Sequence, residues 1–393
     1  MTFPLLIPEL KEELNLRVEK VKKEMGDTDA ILIASSTNMI YLSGCVFRGY
    51  IYLQRDRSPL YFTIPPSHCD NSGNAEEIRK PEMIPDYLTT HGYGFPDTLG
   101  LEFDDLLYSE VERLRAVFPQ ARIVNASAML RKARETKTEY EIKLIREDGM
   151  HQARVYSQVE HCYLEGMTDL ELQIEIERVL RREGCLGFLR AAGSRMELNL
   201  GSVISGDNAD VPSPYDFAMG GAGANPTLPA GADGRTIMPG TTVMVDMNGG
   251  FNGYQSDMTR TWRLGDVPEL AVKAHECSRK ILRELEKIGR TGTPVSDLYT
   301  RAVSMAEEAG LKDYFMGHTN HVKFIGHGIG IELNEQPVVM ERNHSPLQTD
   351  MTIALEPKFV IPHVGAVGVE NTYRVTPDGL ENLTVYREDL QEL

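Results

Sequence analysis

The sequence predicts an α/β protein built from two domains. Its 393 residues exceed the roughly 100–200 residues that one domain usually contains. Short apolar strands alternate with amphipathic helices over the first third of the chain, which predicts a three-layer α/β domain. The pattern changes near residues 135–140, where a long amphipathic helix begins at Thr138. We therefore expect a first domain over residues 1–136 and a second over residues 137–393.

The strands expected in the first domain are apolar runs that end at turn residues. The helices expected there repeat their apolar residues every three or four positions. Strands are predicted over 30–34, 40–42, 50–53, 60–64 and 99–103, and helices over 9–25 and 105–117.

The second domain begins with helices that carry clear start signals. The helix from Thr138 is expected to extend to about Tyr163. Thr168 is followed three residues later by Glu171, a capping box that predicts the start of the next helix. Residues 201–235 are rich in Gly, Pro, Ala and Ser and are predicted to form a long loop.

Composition excludes several classes of function. The formal charge is −17, so neither nucleic acid nor an anionic membrane is expected as the main partner. The chain has no apolar run of 18 residues, and residues 1–8 do not resemble a signal peptide. The five cysteines form no CxxC motif, which favours free thiols and a cytoplasmic location. They are Cys45, Cys69, Cys162, Cys185 and Cys277.

Two predicted hairpins each carry a pair of acidic residues. In the first, a turn centred between Phe251 and Asn252 would place Asp246 directly opposite Asp257. Cross-strand Cβ atoms lie about 4.5–5.5 Å apart, so two like charges there would repel unless a cation lay between them. In the second hairpin, a turn centred on His363 would set Glu356 opposite Glu370.

Either acidic pair alone could equally belong to two solvated strands, but two pairs in one domain favour a metal site. The glycine-rich segment 326–330 adds His327, whose imidazole the neighbouring glycines leave unobstructed. Oxygen ligands with one imidazole suit Mn²⁺, Fe²⁺, Co²⁺ or Zn²⁺. Four carboxylates and one histidine suit two bridged ions that activate a shared water.

These residues resemble the pita-bread (M24) metallopeptidase family, in particular its Xaa-Pro aminopeptidase and prolidase members. Segment 38–44 is similar to a motif of the creatinase-type N-terminal domain found in that family. The five metal-ligand positions of the family all carry the expected residue, and these are Asp246, Asp257, His327, Glu356 and Glu370. The resemblance implies a creatinase-type three-layer domain followed by a pita-bread α/β catalytic domain. It also implies two divalent ions, Mn²⁺ foremost, and a homodimer.

The sequence departs from the family at four positions near the expected site. Ala230 and Asn334 stand where the peptidases have histidines that contact the substrate. Gly368 stands where proline-specific members commonly have arginine, and Asn371 where they commonly have aspartate. Asparagine can donate a hydrogen bond but cannot exchange a proton near neutral pH, and alanine can do neither.

The resemblance implies hydrolysis of small Xaa-Pro peptides, with Glu356 both binding metal and accepting a proton from the attacking water. Asn334 could add a hydrogen bond to the oxyanion, and His318 or His321 could protonate the leaving amine, unless both are surface loop residues.

Two other functions stay open. The chain could be a metal-dependent hydrolase or lyase of a non-peptide small molecule, with Tyr215 and Asp216 shaping a different pocket. It could also be a non-catalytic binding module, which the complete set of metal ligands disfavours.

Overall fold

The computed structural model describes residues 8–67, 74–193, 196–197, 199–215 and 217–393. Most of the segment 1–8, Cys69 and Asp216 therefore lie outside the described residues. Contacts divide the chain into two compact units, one ending at Arg134 and one from Glu135 to Leu393. The boundary that the sequence predicts between an N-terminal domain and a catalytic domain, at residues 136 and 137, stays a prediction. No helix in the described part of the chain has both the length and the apolar character that a membrane span requires.

The first unit is a mixed six-stranded sheet with helices. Its strands are β1 (Ala30–Ile33), β2 (Gly49–Gln54), β3 (Leu60–Thr63), β4 (Ala75–Glu77), β5 (Thr98–Leu101) and β6 (Arg122–Asn125), in the spatial order β4-β3-β2-β1-β5-β6. Its helices are α1 (Pro8–Glu24), α2 (Ser36–Ser43), α3 (Ile84–Thr90), α4 (Tyr108–Val117) and α5 (Ser127–Glu135). Every residue of β1, β3 and β5 is buried, as expected for strands covered on both faces. The predicted three-layer arrangement is confirmed.

One strand prediction in this unit was wrong. Residues 40–42 belong to α2 instead of a strand. The side chain of Ser35 accepts a hydrogen bond from the Asn38 backbone and starts the helix, and Gly44 ends it with a left-handed backbone. These caps outweigh the β-propensity of the apolar residues between them.

The second unit carries the acidic residues on small sheets packed against helices. Its helices are α6 (Glu139–Tyr156), α7 (Val159–Cys162), α8 (Asp169–Glu183), α9 (Glu269–Ile288) and α10 (Val295–Glu308). Its strands are β7 (Gly201–Ser205), β8 (Thr241–Asn248), β9 (Asp257–Leu264), β10 (Gly326–Gly328), β11 (Thr352–Leu355), β12 (Lys358–Ile361), β13 (Gly365–Gly368), β14 (Asn371–Val375), β15 (Leu380–Asn382) and β16 (Gln391–Glu392). They form sheets of order β16-β9-β8-β7 and β10-β11-β14-β15, and the pair β12-β13.

The helix predictions in this unit were largely correct. Thr168 and Glu171 form the predicted capping box of α8, and Thr138 caps α6 in the same way. The helix from Thr138 ends at Tyr156, and α7 follows it after two residues. The loop predicted over 201–235 begins instead with β7, which pairs antiparallel with β8.

The connection between β8 and β9 is fixed by a buried carboxylate of α6. Asp148 accepts hydrogen bonds from the Phe251 backbone at 2.6 Å and from the Ser256 hydroxyl at 2.8 Å. A Cβ on Gly249 would lie 2.0 Å from Asp148 Oδ2, so only glycine fits there. Burial raises the pKa of Asp148 to about 7, and its hydrogen bonds only partly offset this effect.

Asp148→Asn is expected to change how stability depends on pH. Because the pKa of Asp148 is raised in the folded state, folding takes up a proton between about pH 4 and pH 7, and stability falls as pH rises through this range. The difference in unfolding free energy, wild type minus variant, should therefore fall by at most about 1.4 kcal/mol per pH unit. Urea denaturation at about pH 5 and about pH 8 measures this difference. Asp378→Asn, a change at an exposed aspartate, serves as the control, and equal trends for both variants would contradict the prediction.

Candidate metal centre

The five predicted ligands come from separate strands of the second unit. Asp246 lies on β8, Asp257 begins β9 and His327 lies on β10. Glu356 follows β11, and Glu370 lies between β13 and β14. Their backbones are tied together, because Glu370 N donates to Thr259 O at 3.2 Å and Glu356 N donates to Ile325 O at 2.9 Å. The sheets therefore bring all five side chains to one place.

The five residues form two overlapping groups whose ligand atoms lie within 4.8 Å of one another. The first donor set is Asp257, His327 and Glu370, and the second donor set is Asp246, Glu356 and Glu370. Glu370 belongs to both sets, which is the arrangement expected of a bridging ligand. The structure thus brings together the five residues that the sequence motifs grouped, and their roles as metal ligands stay predictions.

The first donor set is suited to a divalent ion. His327 Nδ1 lies 3.0 Å from the carbonyl of Gly328, so it carries the proton and leaves Nε2 as an acceptor. Nε2 lies 3.8 Å from Asp257 Oδ2 and 4.0 Å from Glu356 Oε1, spacings that two ligands about 2.0–2.2 Å from one ion can span. Within the described residues, buried Glu370 Oε1 has no hydrogen-bond partner. A metal ion would supply the missing partner.

The register of the first hairpin differs from the prediction. Asp246 pairs with Thr259, and Asn248 pairs with Asp257. The turn is centred one position later than expected, since Asp148 fixes the connection, and the two aspartates are diagonal neighbours on one face. With its amide nitrogen turned toward Asp257, Asn248 donates to Oδ1 at 3.0 Å. Asn248 thereby holds the Asp257 carboxylate in place.

The second hairpin has the predicted register. The pairs Ile361–Gly365 in β12–β13 and Leu355–Asn371 in β11–β14 are both centred on His363. Glu356 and Glu370 occupy the point where one pairing ends and the other begins. Their side chains are 5% and 1% exposed, so little water is available to solvate the two charges.

One residue that sequence reasoning missed lies inside the second donor set. The side chain of Lys358 is fully buried, and its Nζ lies 2.8 Å from Asp246 Oδ2, 2.7 Å from Glu356 Oε2 and 3.0 Å from Glu370 Oε2. The available signal was a charged residue in the apolar strand 358–361, two positions after Glu356 and therefore on the same face.

The charges of this cluster shift its pKa values strongly. Burial lowers the pKa of Lys358, but the three neighbouring carboxylates raise it by a larger amount. The pKa of Lys358 therefore lies well above its usual value. Burial, followed by the charges of Glu370 and Asp246, raises the pKa of Asp257 well above normal. Burial and the charge of Glu356 raise the pKa of Glu370 to about 7. One ammonium does not neutralise four carboxylates, so the cluster fits an additional cation.

An open cavity leads to the centre. Ala230 and Asn334 line it together with Asp246, Asp257, His327 and Glu356. Among its described lining residues, His327 is the only histidine. The amide of Asn334 pairs with the Ala192 backbone, accepting at 2.6 Å and donating at 3.2 Å, and thus anchors this segment beside the cavity.

His318 and His321 are not among the residues that line this cavity. His318 Nδ1 lies 3.3 Å from Asp210 Oδ2, and His321 Nδ1 lies 2.9 Å from the carbonyl of Phe315. Tyr215 bonds to Glu197 at 3.2 Å and lines a neighbouring pocket. The structure therefore gives no support to His318 or His321 as proton donors.

The sequence matches two family models. Residues 143–377 match metallopeptidase family M24, and residues 17–136 match the creatinase/prolidase N-terminal domain. The chain belongs to metallopeptidase family M24. It is a hydrolase of this family with a creatinase-type N-terminal domain, as its sequence motifs predicted.

The similarity to known proteins and solved structures extends over nearly the whole chain. A putative dipeptidase of Bacillus subtilis is 26% identical over 95% of this chain and 98% of its own length. An Xaa-Pro dipeptidase of Pyrococcus horikoshii is 26% identical over 96% of this chain and 100% of its own. The fold resembles that of the Pyrococcus horikoshii prolidase, with a TM-score of 0.77 and 24% identity. The match covers 95% of this chain and 99% of the prolidase chain. It also resembles that of an Xaa-Pro dipeptidase from Bacillus anthracis, with a TM-score of 0.80 and 22% identity. This match covers 97% of this chain and 100% of the dipeptidase chain.

Proposed function

We propose that this M24 protein is a divalent-metal-dependent Xaa-Pro dipeptidase or aminopeptidase that cleaves small proline-containing peptides. The observation that carries the proposal is the convergence of all five ligand positions into two overlapping groups beside an open cavity. Relatives named Xaa-Pro dipeptidase support the substrate class. The predicted two-ion centre, Mn²⁺ as its metal with Co²⁺, Zn²⁺ and Fe²⁺ as alternatives, the homodimer and the cytoplasmic location stay predictions.

The proposed roles follow from the positions of the side chains. Asp257, His327 and Glu370 would hold a divalent ion, which when bound would acidify water and polarise a carbonyl oxygen. Glu356 Oε1 faces the same space and would accept the proton of the attacking water. One N–H of Asn334 already bonds to Ala192, and its second would be the added donor toward the oxyanion.

We expect purified protein reconstituted with Mn²⁺ or Co²⁺ to hydrolyse Xaa-Pro dipeptides or short peptides with an Xaa-Pro amino terminus. A panel that varies the first residue, with matched Xaa-Ala peptides as the control, measures the preference for proline. Rates on both series should fall when the ion is removed with a chelator and return when it is added back. Absence of turnover across the Xaa-Pro panel, with the ion shown to be bound, would rule out the proposal.

A second candidate function is supported by the cavity lining. Ala230 and the engaged amide of Asn334 replace two groups that the resemblance assigns to peptide binding. Met196, Phe217 and Phe324 make the adjoining wall largely apolar. The same centre could thus serve a hydrolase or lyase of a non-peptide molecule. Thermal-shift screening with small amides and esters separates the two, since stabilisation by dipeptides alone would exclude this candidate.

A further inference from the structure

The ammonium of Lys358 occupies the middle of the second donor set. It lies within hydrogen-bond distance of one oxygen from each member of that set, Asp246, Glu356 and Glu370. An ammonium has three donors, so these three acceptors use all of its hydrogen-bonding capacity. A divalent ion bound to the same three oxygens would have to occupy the space that Nζ fills. The second donor set therefore does not fit an ion while Lys358 stays in place.

The carboxylates divide their oxygens between Lys358 and the first donor set. Glu356 uses Oε2 for Lys358, whereas its Oε1 lies 4.0 Å from His327 Nε2. Glu370 uses Oε2 for Lys358 and for the Thr259 hydroxyl at 2.7 Å, and its Oε1 has no hydrogen-bond partner within the described chain. The unused oxygens thus belong to a single site together with Asp257 and His327.

The backbone beside Lys358 is shaped to hold it. The cross-strand partner of Lys358 is Gly368. A Cβ on Gly368 would lie 3.2 Å from Lys358 Cγ, 3.0 Å from Lys358 Cα and 2.9 Å from the carbonyl of Pro357. A side chain at 368 would therefore crowd the backbone of residues 357 and 358 and also the stem of the lysine. The glycine leaves the room through which the stem reaches the carboxylates.

We infer that the ammonium of Lys358 takes the place of the second divalent ion, so that this chain binds one ion at the first donor set, Asp257, His327 and Glu370, with Glu356 Oε1 facing it. The inference rests on the proposed metal dependence and replaces the predicted pair of ions with one ion and one fixed cation. An ammonium cannot accept an electron pair from water or a carbonyl oxygen. Lys358 therefore orients Glu356 and Glu370 and balances their charge, and it acts as a positioning residue.

The number of bound ions tests this inference without any substrate. Full-length protein saturated with Mn²⁺ and freed of excess ion should contain one ion per chain by elemental analysis. Its electron paramagnetic resonance spectrum should be that of isolated Mn²⁺. Two ions per chain with the spectrum of an exchange-coupled pair would overturn the inference, and so would no bound ion.

Removing the ammonium should open the second donor set. Lys358→Ala is expected to double the count to two ions per chain and to produce the coupled spectrum, and Lys358→Gly serves if the alanine variant does not fold. Lys323→Ala, which removes an exposed lysine four residues before His327, should keep one ion. A folded Lys358 variant that still binds only one ion would contradict the inference. Activity on Xaa-Pro peptides tests the proposed function separately, because either result can occur with either ion count.

Discussion

Asp257→Asn is expected to lower kcat/KM on Xaa-Pro substrates by more than about a hundredfold and to weaken ion binding to a similar degree. Loss of a group that only orients a metal ligand typically costs about 10- to 100-fold, and Asp257 would itself be a ligand. It is 7% exposed at the side chain and lies within the first donor set, so water cannot replace it easily. Peptide turnover and calorimetric titration with Mn²⁺ measure both effects.

The same substitution should not destabilise the metal-free protein. The pKa of Asp257 is raised by burial and by the charges of Glu370 and Asp246, so its ionised form is unfavourable without an ion. A neutral asparagine avoids the cost of a charge at this position, and the melting temperature in chelator should equal or exceed that of wild type. Asp266→Asn, a change at an exposed carboxylate just after β9, should alter neither property. A lower melting temperature for Asp257→Asn would show that its loss of activity is a loss of fold.

Arg260→Met is expected to reduce the unfolding free energy by about 3–5 kcal/mol, the largest effect on stability that we foresee. The guanidinium is fully buried, and it donates to the carbonyls of Thr259 and Glu370, both at 2.8 Å. It also donates to Asn371 Oδ1 at 2.9 Å and to the Arg387 carbonyl at 2.8 Å. Methionine fills much of the volume but leaves these buried acceptors without donors.

Urea denaturation of Arg260→Met beside Arg263→Met measures the effect. Arg263 lies three residues later on β9 and is 29% exposed, and its pairs with Asp266 and Glu392 should contribute less than about 1 kcal/mol. Because Arg260 holds the backbone of Glu370, ion binding should weaken as well. Similar losses of stability in the two variants would contradict a special role for Arg260.

The sequence predicted local elements and which candidate ligands lie together, but not how the strands of the first hairpin align. The α8 capping box and the turn at His363 depend on adjacent residues, and both were predicted correctly. The alignment of Asp246 and Asp257 depends on Asp148, which is about a hundred positions away in the chain. No local pattern reports such a contact.

The sequence did not predict which other side chains enter the site or how they are hydrogen-bonded there. Lys358 follows the Glu356-Pro357 motif and looks like part of an ordinary strand, and only its approach to three carboxylates gives it meaning. Asn334 was expected only as a donor toward the oxyanion, whereas in the structure its amide also accepts one hydrogen bond from the Ala192 backbone and donates one to it. The hydrogen-bond partners of these two side chains are brought together only in the folded chain, so the sequence around each residue does not reveal them.

Lys358 and Gly368 face each other where β12 and β13 approach closely. Two of the three atoms nearest to a Cβ at 368 belong to the backbone, the Pro357 carbonyl oxygen and Lys358 Cα, so a side chain at 368 would crowd the strand whatever residue stands at 358. The inferred exchange of an ion for an ammonium therefore depends on position 358 alone, and variants at that one position would change the cation content of the centre while all five ligand positions stay as they are.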